Sequence, residues 1–316
     1  MNIKSKVLKK GDTIGVVSPA SPSYNKSDIV RGKKTLEEWG YKVVLSKHLN
    51  KKKGFFAGSD QERAEDLNEM FARTDIDAIF VTQGGYGSAR ILKYLNFELI
   101  RKNPKIFIGY SDITSLHLAI YKKTGLVTFY GPGVSRYNSE NLTDYTKEYL
   151  FKALTSKDSI GNIPMANEKK WINSINSGIV KGEVIGGNLS LICSTLGTPY
   201  EIDTKGKILF FEELETEPWI IDHMLSHLYN AGKLQEASGI IIGECVDCVP
   251  RKLVPGYYVD TSLEDILDNY IKPLKIPALY GFPLGHTKDM ATLPLGVKLK
   301  VDATNKKITV LESGVH

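Results

Sequence analysis

The sequence predicts a two-domain α/β protein whose N-terminal half is built on a parallel sheet. Three observations carry that prediction. Between Asp12 and Tyr130, short β-branched or apolar runs alternate with segments of helical periodicity, which is the mark of βαβ units. The pattern lapses into a polar stretch over residues 139–170 and then resumes, which places a domain boundary there. At 316 residues and 42% hydrophobic content the chain is long for one domain and has enough apolar mass to bury a core in each of two. The division read from this pattern is 1–165 for an N-terminal α/β domain and 171–316 for a smaller C-terminal α/β domain.

Taken in order, Asp12-Thr-Ile-Gly-Val-Val is a strand that stops at Pro19 in a Ser/Pro loop, followed by a helix over Asp28–Trp39 and a strand over Tyr41–Leu45. A helix over Glu62–Ala72 leads to a buried strand, Ala78–Thr82, and then to the glycine-rich turn Gln83-Gly-Gly-Tyr-Gly-Ser-Ala-Arg with helical spacing of Ile91, Leu92 and Leu95 beyond it. Ile106–Ile108 is too short and too β-branched for a helix, whereas Leu116, Ile120 and Tyr121 recur at helical spacing. Val127–Tyr130 is a further strand, and Thr143–Leu154 a helix in the polar stretch. In the second half, an irregular β segment from Ser177 runs into the helix Leu189–Leu196, with Asn188 as its N-cap. Lys207-Ile-Leu-Phe-Phe is a buried strand ending in acid, and Pro218 fits position N1 of a helix ending near Gly232. Ile240–Gly243 is a strand, Leu263–Tyr270 a helix, and Val297–Asp302 with Ile308–Leu311 a hairpin.

Several function classes are disfavoured. With 41 Lys+Arg against 36 Asp+Glu the net charge is +5 without a dominant basic patch, so no nucleic-acid partner is implied. The N-terminus lacks an apolar signal core and no stretch is long enough to span a bilayer, so no membrane partner is expected and the reading is a soluble, cytoplasmic protein. Three cysteines fit a reducing compartment without a disulfide framework. The turn GGYGSAR matches neither the dinucleotide nor the P-loop pattern, so no cofactor is expected. His223 and His227 are spaced i,i+4, but HMLSH lacks the metalloprotease glutamate and reads as a helix-surface pair. Cys245-Val-Asp-Cys248 is a single C-x-x-C with no second pair and receives no function; no metal site is assigned.

The stretch with the strongest chemical outline is strand, sharp turn, helix around Ser111. A serine there is lifted from the sheet edge with its hydroxyl exposed, as in a nucleophile elbow. Taken locally, a plain helix cap at Ser111 or Asp112 is the commoner outcome. The glycine-rich turn after the third strand points at the same sheet edge; it serves either as backbone donors for an oxyanion or only as a tight turn needing positive φ. Glu212 or Glu213 ends a buried strand, where an acid orients a histidine or forms the solvated lip, and the lip is the blander reading. His286 sits in a loop framed by glycine and proline, a setting suited to a general base. In chain order Ser111, Glu212 and His286 make nucleophile, acid and base.

The same residues resemble a known family. GDTIGVVSPAS, AGSDQERAEDL, GGYGSAR, IGYSDIT, GEVIGGNLSLICSTLGTPYEID, ILFFEELETEP, GIIIGE and GFPLGHTKDMATLPLG look like the LD-carboxypeptidases, also called muramoyltetrapeptide carboxypeptidases, over almost the whole chain. The resemblance implies a serine peptidase with a parallel α/β nucleophile domain, a smaller α/β domain carrying acid and base, and the site in the cleft between them. It implies release of terminal D-alanine from peptidoglycan tetrapeptides during cytoplasmic wall recycling, by Ser111 as nucleophile, Glu212 as orienting acid with Glu213 as second choice, and His286 as base. The backbone N–H groups of Gly85 and Asp112 would form the oxyanion hole, and Arg90 and Asn188 are candidate substrate ligands. The expected partners are a peptidoglycan-derived peptide and a second copy in a homodimer. The alternatives are a microcin-immunity peptidase with the same triad, acting on a toxic aminoacyl- or peptidyl-nucleotide, and a non-catalytic two-domain ligand-binding protein.

Overall fold

The computed structural model describes residues 2–138, 142–166, 171–250 and 261–316. Its first half alternates strand and helix: β1 (Thr13–Val17), α1 (Lys26–Glu38), β2 (Lys42–Leu45), α2 (Asp60–Ala72), β3 (Ala78–Val81), α3 (Phe97–Lys102), β4 (Ile106–Gly109), α4 (Thr114–Thr124), β5 (Thr128–Tyr130) and α5 (Asp144–Thr155). Local chemistry sets the helix starts. Asn25 accepts from the Ser27 N–H at α1, Ser59 and Glu62 form a reciprocal capping box at α2, and Thr143 accepts from the Thr146 N–H at α5. β3 and β4 are uninterrupted apolar runs because every residue in them is buried, which a sheet covered on both faces requires.

β1 pairs in parallel with β2 on one side and β3 on the other, and β4 and β5 extend the sheet beyond β3. The chain therefore reverses its direction of travel across the sheet at β1. Open α/β sheets hold ligands in the crevice at the carboxyl ends of the strands flanking such a reversal. The Ser/Pro loop leaves β1 and the glycine-rich turn leaves β3 at that edge, and the Ser111 turn leaves β4 beside them.

The second half contains β6 (Gly161–Ile163), β7 (Asn173–Asn176), β8 (Ile179–Asn188), α6 (Leu189–Thr195), β9 (Ile208–Leu214), α7 (Pro218–Asn230), β10 (Gly239–Val246), α8 (Leu263–Ile271), β11 (Ala278–Phe282), β12 (Leu293–Leu295), β13 (Lys298–Asp302) and β14 (Lys307–Val310). Its sheet has the order β6-β14-β13-β8-β9-β10-β11-β7. Strands β8 to β11 run parallel, so Asn188, Glu212 and the loop carrying His286 all emerge from carboxyl ends. Pro218 opens α7 at its first turn as expected, where the missing N–H has no helical partner to lose.

Two features depart from the sequence expectation. The division at 165 and 171 does not follow the sheets strand by strand: β6 pairs with β14 in the C-terminal sheet, and β12 pairs antiparallel with β5 and completes the N-terminal one. Residues 167–170, inside that division, lie outside the described residues. β12 carries Pro294, which an edge strand tolerates because one row of its N–H groups faces away from the ladder. The helical spacing of Ile91, Leu92 and Leu95 resolves into a 3-10 helix over Ser88–Tyr94, entered through the left-handed Gly87 and ending before Leu95. Among the described residues no helix is long and apolar enough to cross a membrane.

Behind the Ser111 turn, α4 is fastened to the sheet by His117. Its Nε2–H donates to the Gly109 carbonyl at 2.9 Å and its Nδ1 accepts from the Thr128 hydroxyl at 2.9 Å. Burial pushes its pKa down from 6.5 to about 4 against the smaller opposing effect of the Gly109 bond. The unfolded chain takes up a proton as pH falls through 6.5, and the native chain does not until about 4. The neutral ring thus contributes stability that is complete above pH 6.5 and lost as pH falls through that window, on the order of 3 kcal/mol in all. Urea unfolding across this window should show a shallower decline for His117→Gln than for the wild type, and parallel declines would remove His117 as the cause.

Candidate active site

Ser111 follows β4 with φ +64°, a left-handed backbone rarely adopted by a residue with a Cβ and costing roughly 1–3 kcal/mol. A short 3-10 turn over Ser111–Ile113 then leads into α4. The local preference for a helix cap is therefore overturned. Ile113 occupies the cap position of α4 without a side-chain hydrogen bond, and the Asp112 carboxylate is directed elsewhere. The Ser111 N–H donates to the Tyr130 hydroxyl at 3.0 Å.

The glycine-rich turn is pressed against this elbow. A Cβ on Gly84 would stand 2.8 Å from the Ser111 Cβ and 3.1 Å from its Oγ, so only glycine lets the two backbones approach this closely. Gly85 takes φ +102° and abuts Ser21, whose hydroxyl accepts from the Tyr86 N–H at 3.0 Å. The two readings of the turn are thus not exclusive: it needs positive φ, and it brings backbone to the serine. Asp112 ties the turn in place. Its buried carboxylate accepts from the Ser88 N–H at 2.7 Å and the Gly87 N–H at 3.3 Å, while the Ser88 hydroxyl donates to the Asp112 carbonyl. Burial pushes that carboxyl's pKa up, and the bonds from Ser88 and Gly87 oppose the shift. Buried Arg63 donates to the carbonyls of Pro19 at 2.6 Å and Gly87 at 2.8 Å, joining the loop after β1 to the same turn.

Glu212 and Glu213 are both buried, so the solvated-lip reading fails. Their roles separate by what they touch. Glu213 accepts from the N–H and hydroxyl of Ser190 at 2.8 Å and 2.6 Å and anchors the start of α6. Glu212 reaches the histidine: its Oε2 accepts from His286 Nδ1 at 2.7 Å and from the His286 N–H at 3.3 Å. Its Oε1 accepts from the Tyr130 hydroxyl at 2.7 Å and from Asn188 Nδ2 at 3.3 Å. With Nδ1 engaged by the carboxylate, Nε2 is the ring nitrogen able to take up a proton. The His286 ring lies against Tyr110, centroids 5.0 Å apart, and Arg136 holds its loop through the carbonyls of Thr287 at 3.1 Å and Lys288 at 3.0 Å.

The two candidate substrate ligands, Asn188 and Arg90, both have partners within the protein. Asn188 is buried and divides its amide between Glu212 and Glu213, at 3.3 Å and 2.9 Å, while its oxygen caps α6, so it braces the acids. Arg90 is exposed and pairs with Asp60 through bonds of 3.0–3.2 Å, with its guanidinium over the Phe56 ring. His223 and His227 are exposed on α7, as a surface pair would be. Cys245 and Cys248 are free thiols, and among the described residues no cluster of three His, Cys, Asp or Glu could hold a metal ion. Sequence reasoning missed Tyr130, Gly84, Tyr110 and Arg136. The available signal for Tyr130 was its position at the carboxyl end of β5, the edge that also carries the Ser111 turn, and its phenol is pushed far above the ordinary value by burial and then by Glu212.

Family models described as the LD-carboxypeptidase N-terminal domain and C-terminal domain match residues 14–131 and 181–301. The whole chain is 43% identical to a probable murein peptide carboxypeptidase of Bacillus subtilis (strain 168), covering 96% of that protein. Across 96% of its length it is 37% identical to the microcin C7 self-immunity protein of Escherichia coli, covering 94% of it. A ligand-free wild-type structure of a microcin C7 self-immunity protein superposes with a TM-score of 0.90 at 32% identity, over 99% of this chain and all of that one. A muramoyltetrapeptide carboxypeptidase from Oxalobacter formigenes superposes with a TM-score of 0.80 at 28% identity, over 94% of this chain and 97% of that one.

The contact between Gly84 and Ser111 leaves no room for a methyl group. Gly84→Ala should lower the rate at which a fluorophosphonate labels Ser111 by about tenfold or more, with a stability loss of roughly 1–3 kcal/mol from overpacking. Labelling at the wild-type rate would mean that the elbow does not depend on this approach.

Proposed function

Since the chain belongs to the LD-carboxypeptidase family, we propose that it is a serine carboxypeptidase that hydrolyses the bond between the L-centre of a diamino acid and terminal D-alanine in peptidoglycan tetrapeptides, in cytoplasmic wall recycling. The observation that carries the reading is the 2.7 Å bond from His286 Nδ1 to the buried Glu212 carboxylate, on the same hydrogen-bonded chain as the Ser111 elbow. A serine hydroxyl is a weak nucleophile until a base removes its proton during attack, and the base needs a carboxylate to fix its tautomer and stabilise the imidazolium.

In this mechanism Ser111 Oγ attacks the carbonyl carbon of the L-residue as its proton passes to His286 Nε2. The carbonyl oxygen becomes an oxyanion facing the N–H groups of Gly85 and Asp112, and each such donor contributes roughly 3–4 kcal/mol by analogy with a subtilisin oxyanion-hole donor. The C–N bond then breaks, and His286 returns the proton to the leaving D-alanine amine. Water, deprotonated by the same imidazole, attacks the ester carbonyl; Ser111 leaves and recovers the proton.

A second reading is favoured by one specific observation, the 37% identity to the microcin self-immunity protein. In that reading the scissile bond joins an aminoacyl or peptidyl group to a nucleotide. The recycling reading stands ahead because identity to the murein peptide carboxypeptidase is higher over the full chain. A panel of a muramoyl tetrapeptide and an aminoacyl nucleotide separates the two.

Ser111→Ala should reduce D-alanine release by at least about 10⁴-fold while the protein still melts cooperatively, and a chelator should leave the wild-type rate unchanged. Ser111→Ala combined with His286→Ala should be no slower than the slower single variant, because the two act as a unit. Multiplying losses, or activity surviving in Ser111→Ala, would overturn the mechanism.

A further inference from the structure

We propose that Tyr130 is a positioning residue of this site: its single hydroxyl holds the nucleophile's backbone and the acid in register across the two domains and moderates how strongly Glu212 supports a proton on His286. The inference rests on the Ser111–Glu212–His286 reading given above.

The direction of each bond is fixed by chemistry. A backbone N–H can only donate, so the 3.0 Å contact from Ser111 fills a lone pair of the phenol oxygen. The phenol proton is then directed to Glu212 Oε1, 2.7 Å away. The phenol keeps this proton throughout the working range, because burial and the neighbouring carboxylate both oppose its loss. The oxygen is held where it is by its ring, which packs edge-on against Phe210 at 5.3 Å and lies 5.8 Å from His117. The strand beneath is pinned on both sides, by β4 through Gly109 and by β12 through Leu293.

Two consequences follow. The N–H of Ser111 is engaged by the phenol, so it is not a donor to the oxyanion, a task left to Asp112 and Gly85. A neutral donor on Oε1 also draws charge away from the Oε2 that faces His286, so removing it makes Glu212 a stronger partner for the imidazolium. The other polar or titratable groups about this pair are Asn188 from β8, Glu213 from β9, Glu244 and Cys245 from β10, and Cys248 beyond it. Among the described residues they are joined by Tyr110 after β4, Thr114 and His117 on α4, of which Thr114 also bonds the phenol, Arg136 beyond β5, and Thr287 with Lys288 in the histidine loop. Tyr130 differs from these in bonding to both the Ser111 backbone and Glu212.

Tyr130→Phe removes the oxygen and keeps the ring. The readout is the rate of Ser111 inactivation by a fluorophosphonate from about pH 5 to 9, which needs no knowledge of the peptide substrate, together with kcat and KM for D-alanine release. The expected result is a limiting inactivation rate and kcat lower by about tenfold, KM within about twofold, and an acid limb displaced upward by about half to one pH unit. Phe210→Leu, which loosens the ring packing and retains the hydroxyl, should lower the melting temperature without displacing the limb. An unmoved limb in Tyr130→Phe overturns the inference, as does a Tyr130→Phe protein that no longer melts cooperatively, since the hydroxyl then belongs to the fold and not to the site. A wild-type protein that the reagent does not label at Ser111 overturns the triad reading and the inference with it. A labelled wild type that releases no D-alanine overturns the substrate alone, and the pH limb still decides the role of Tyr130.

Discussion

The buried carboxylate of Glu212 is the constraint on which the site is arranged. A charged group withdrawn from water costs several kcal/mol unless its oxygens are supplied with donors. Here the donors arrive from three places: Tyr130 at the end of β5, Asn188 at the end of β8, and both Nδ1 and the backbone N–H of His286 in the loop after β11. One of these belongs to the N-terminal sheet and two to the C-terminal half, so the acid is satisfied only when the two are docked. The glycine before the histidine has the same origin. Gly285 has φ +98°, and a Cβ on it would sit 2.4 Å from a Glu212 oxygen, so the loop can bring His286 down onto the carboxylate only without a side chain at 285. From that loop the chain returns through β12 to the edge of the N-terminal sheet, opposite Tyr130 itself.

A second buried carboxylate, Asp112, does for the turn what Glu212 does for the histidine. It accepts from the Gly87 and Ser88 N–H groups, and its own carbonyl accepts from Ser88, so the glycine-rich turn and the elbow are joined through three bonds. Arg63 then joins that turn to the loop after β1. The strained φ of Ser111 is tolerated because the surroundings determine it: the N–H is bound by Tyr130, Gly84 lies against the side chain, and α4 is fixed from behind by His117. Strain of this sort persists only where neighbouring contacts outweigh it.

Much of this was legible in the sequence, and the limits have physical reasons. Alternation of strand and helix predicted the parallel N-terminal sheet, because the buried runs of β3 and β4 are local signals. The edge strand β12 was not legible, since a proline-bearing tripeptide acquires strand geometry only from the partner it meets. Ser111 read locally as a cap, and only the positive φ imposed by its neighbours distinguishes an elbow from a cap. Glu212 read as the lip of a strand for a similar reason. Its burial is produced by Tyr130, Asn188 and His286, all distant in sequence, and the pattern ILFFEEL cannot say which of its two acids faces a histidine. Asn188 was recognised as a helix cap, but the same residue's amide toward the acids depended on the register of β8 against β9, in which Asn188 lies opposite Glu212.

The relatives agree on architecture and diverge in the names of what they act on, and the site explains why. The TM-score is higher for the microcin self-immunity structure, at 0.90, than for the Oxalobacter carboxypeptidase, at 0.80, while the sequence identity of 43% is to a murein peptide carboxypeptidase. These do not conflict. A superposition score is dominated by sheets and helices, and those are held here by the buried apolar clusters that pack against the two sheets. A peptide and an aminoacyl nucleotide both offer an acyl carbon bearing a leaving group, so in the proposed mechanism one nucleophile and one base could serve either. Discrimination therefore resides in side chains around the leaving group, which scarcely enter a backbone comparison. Agreement of backbones fixes the architecture, and the choice of substrate has to be read from the side chains that surround the site.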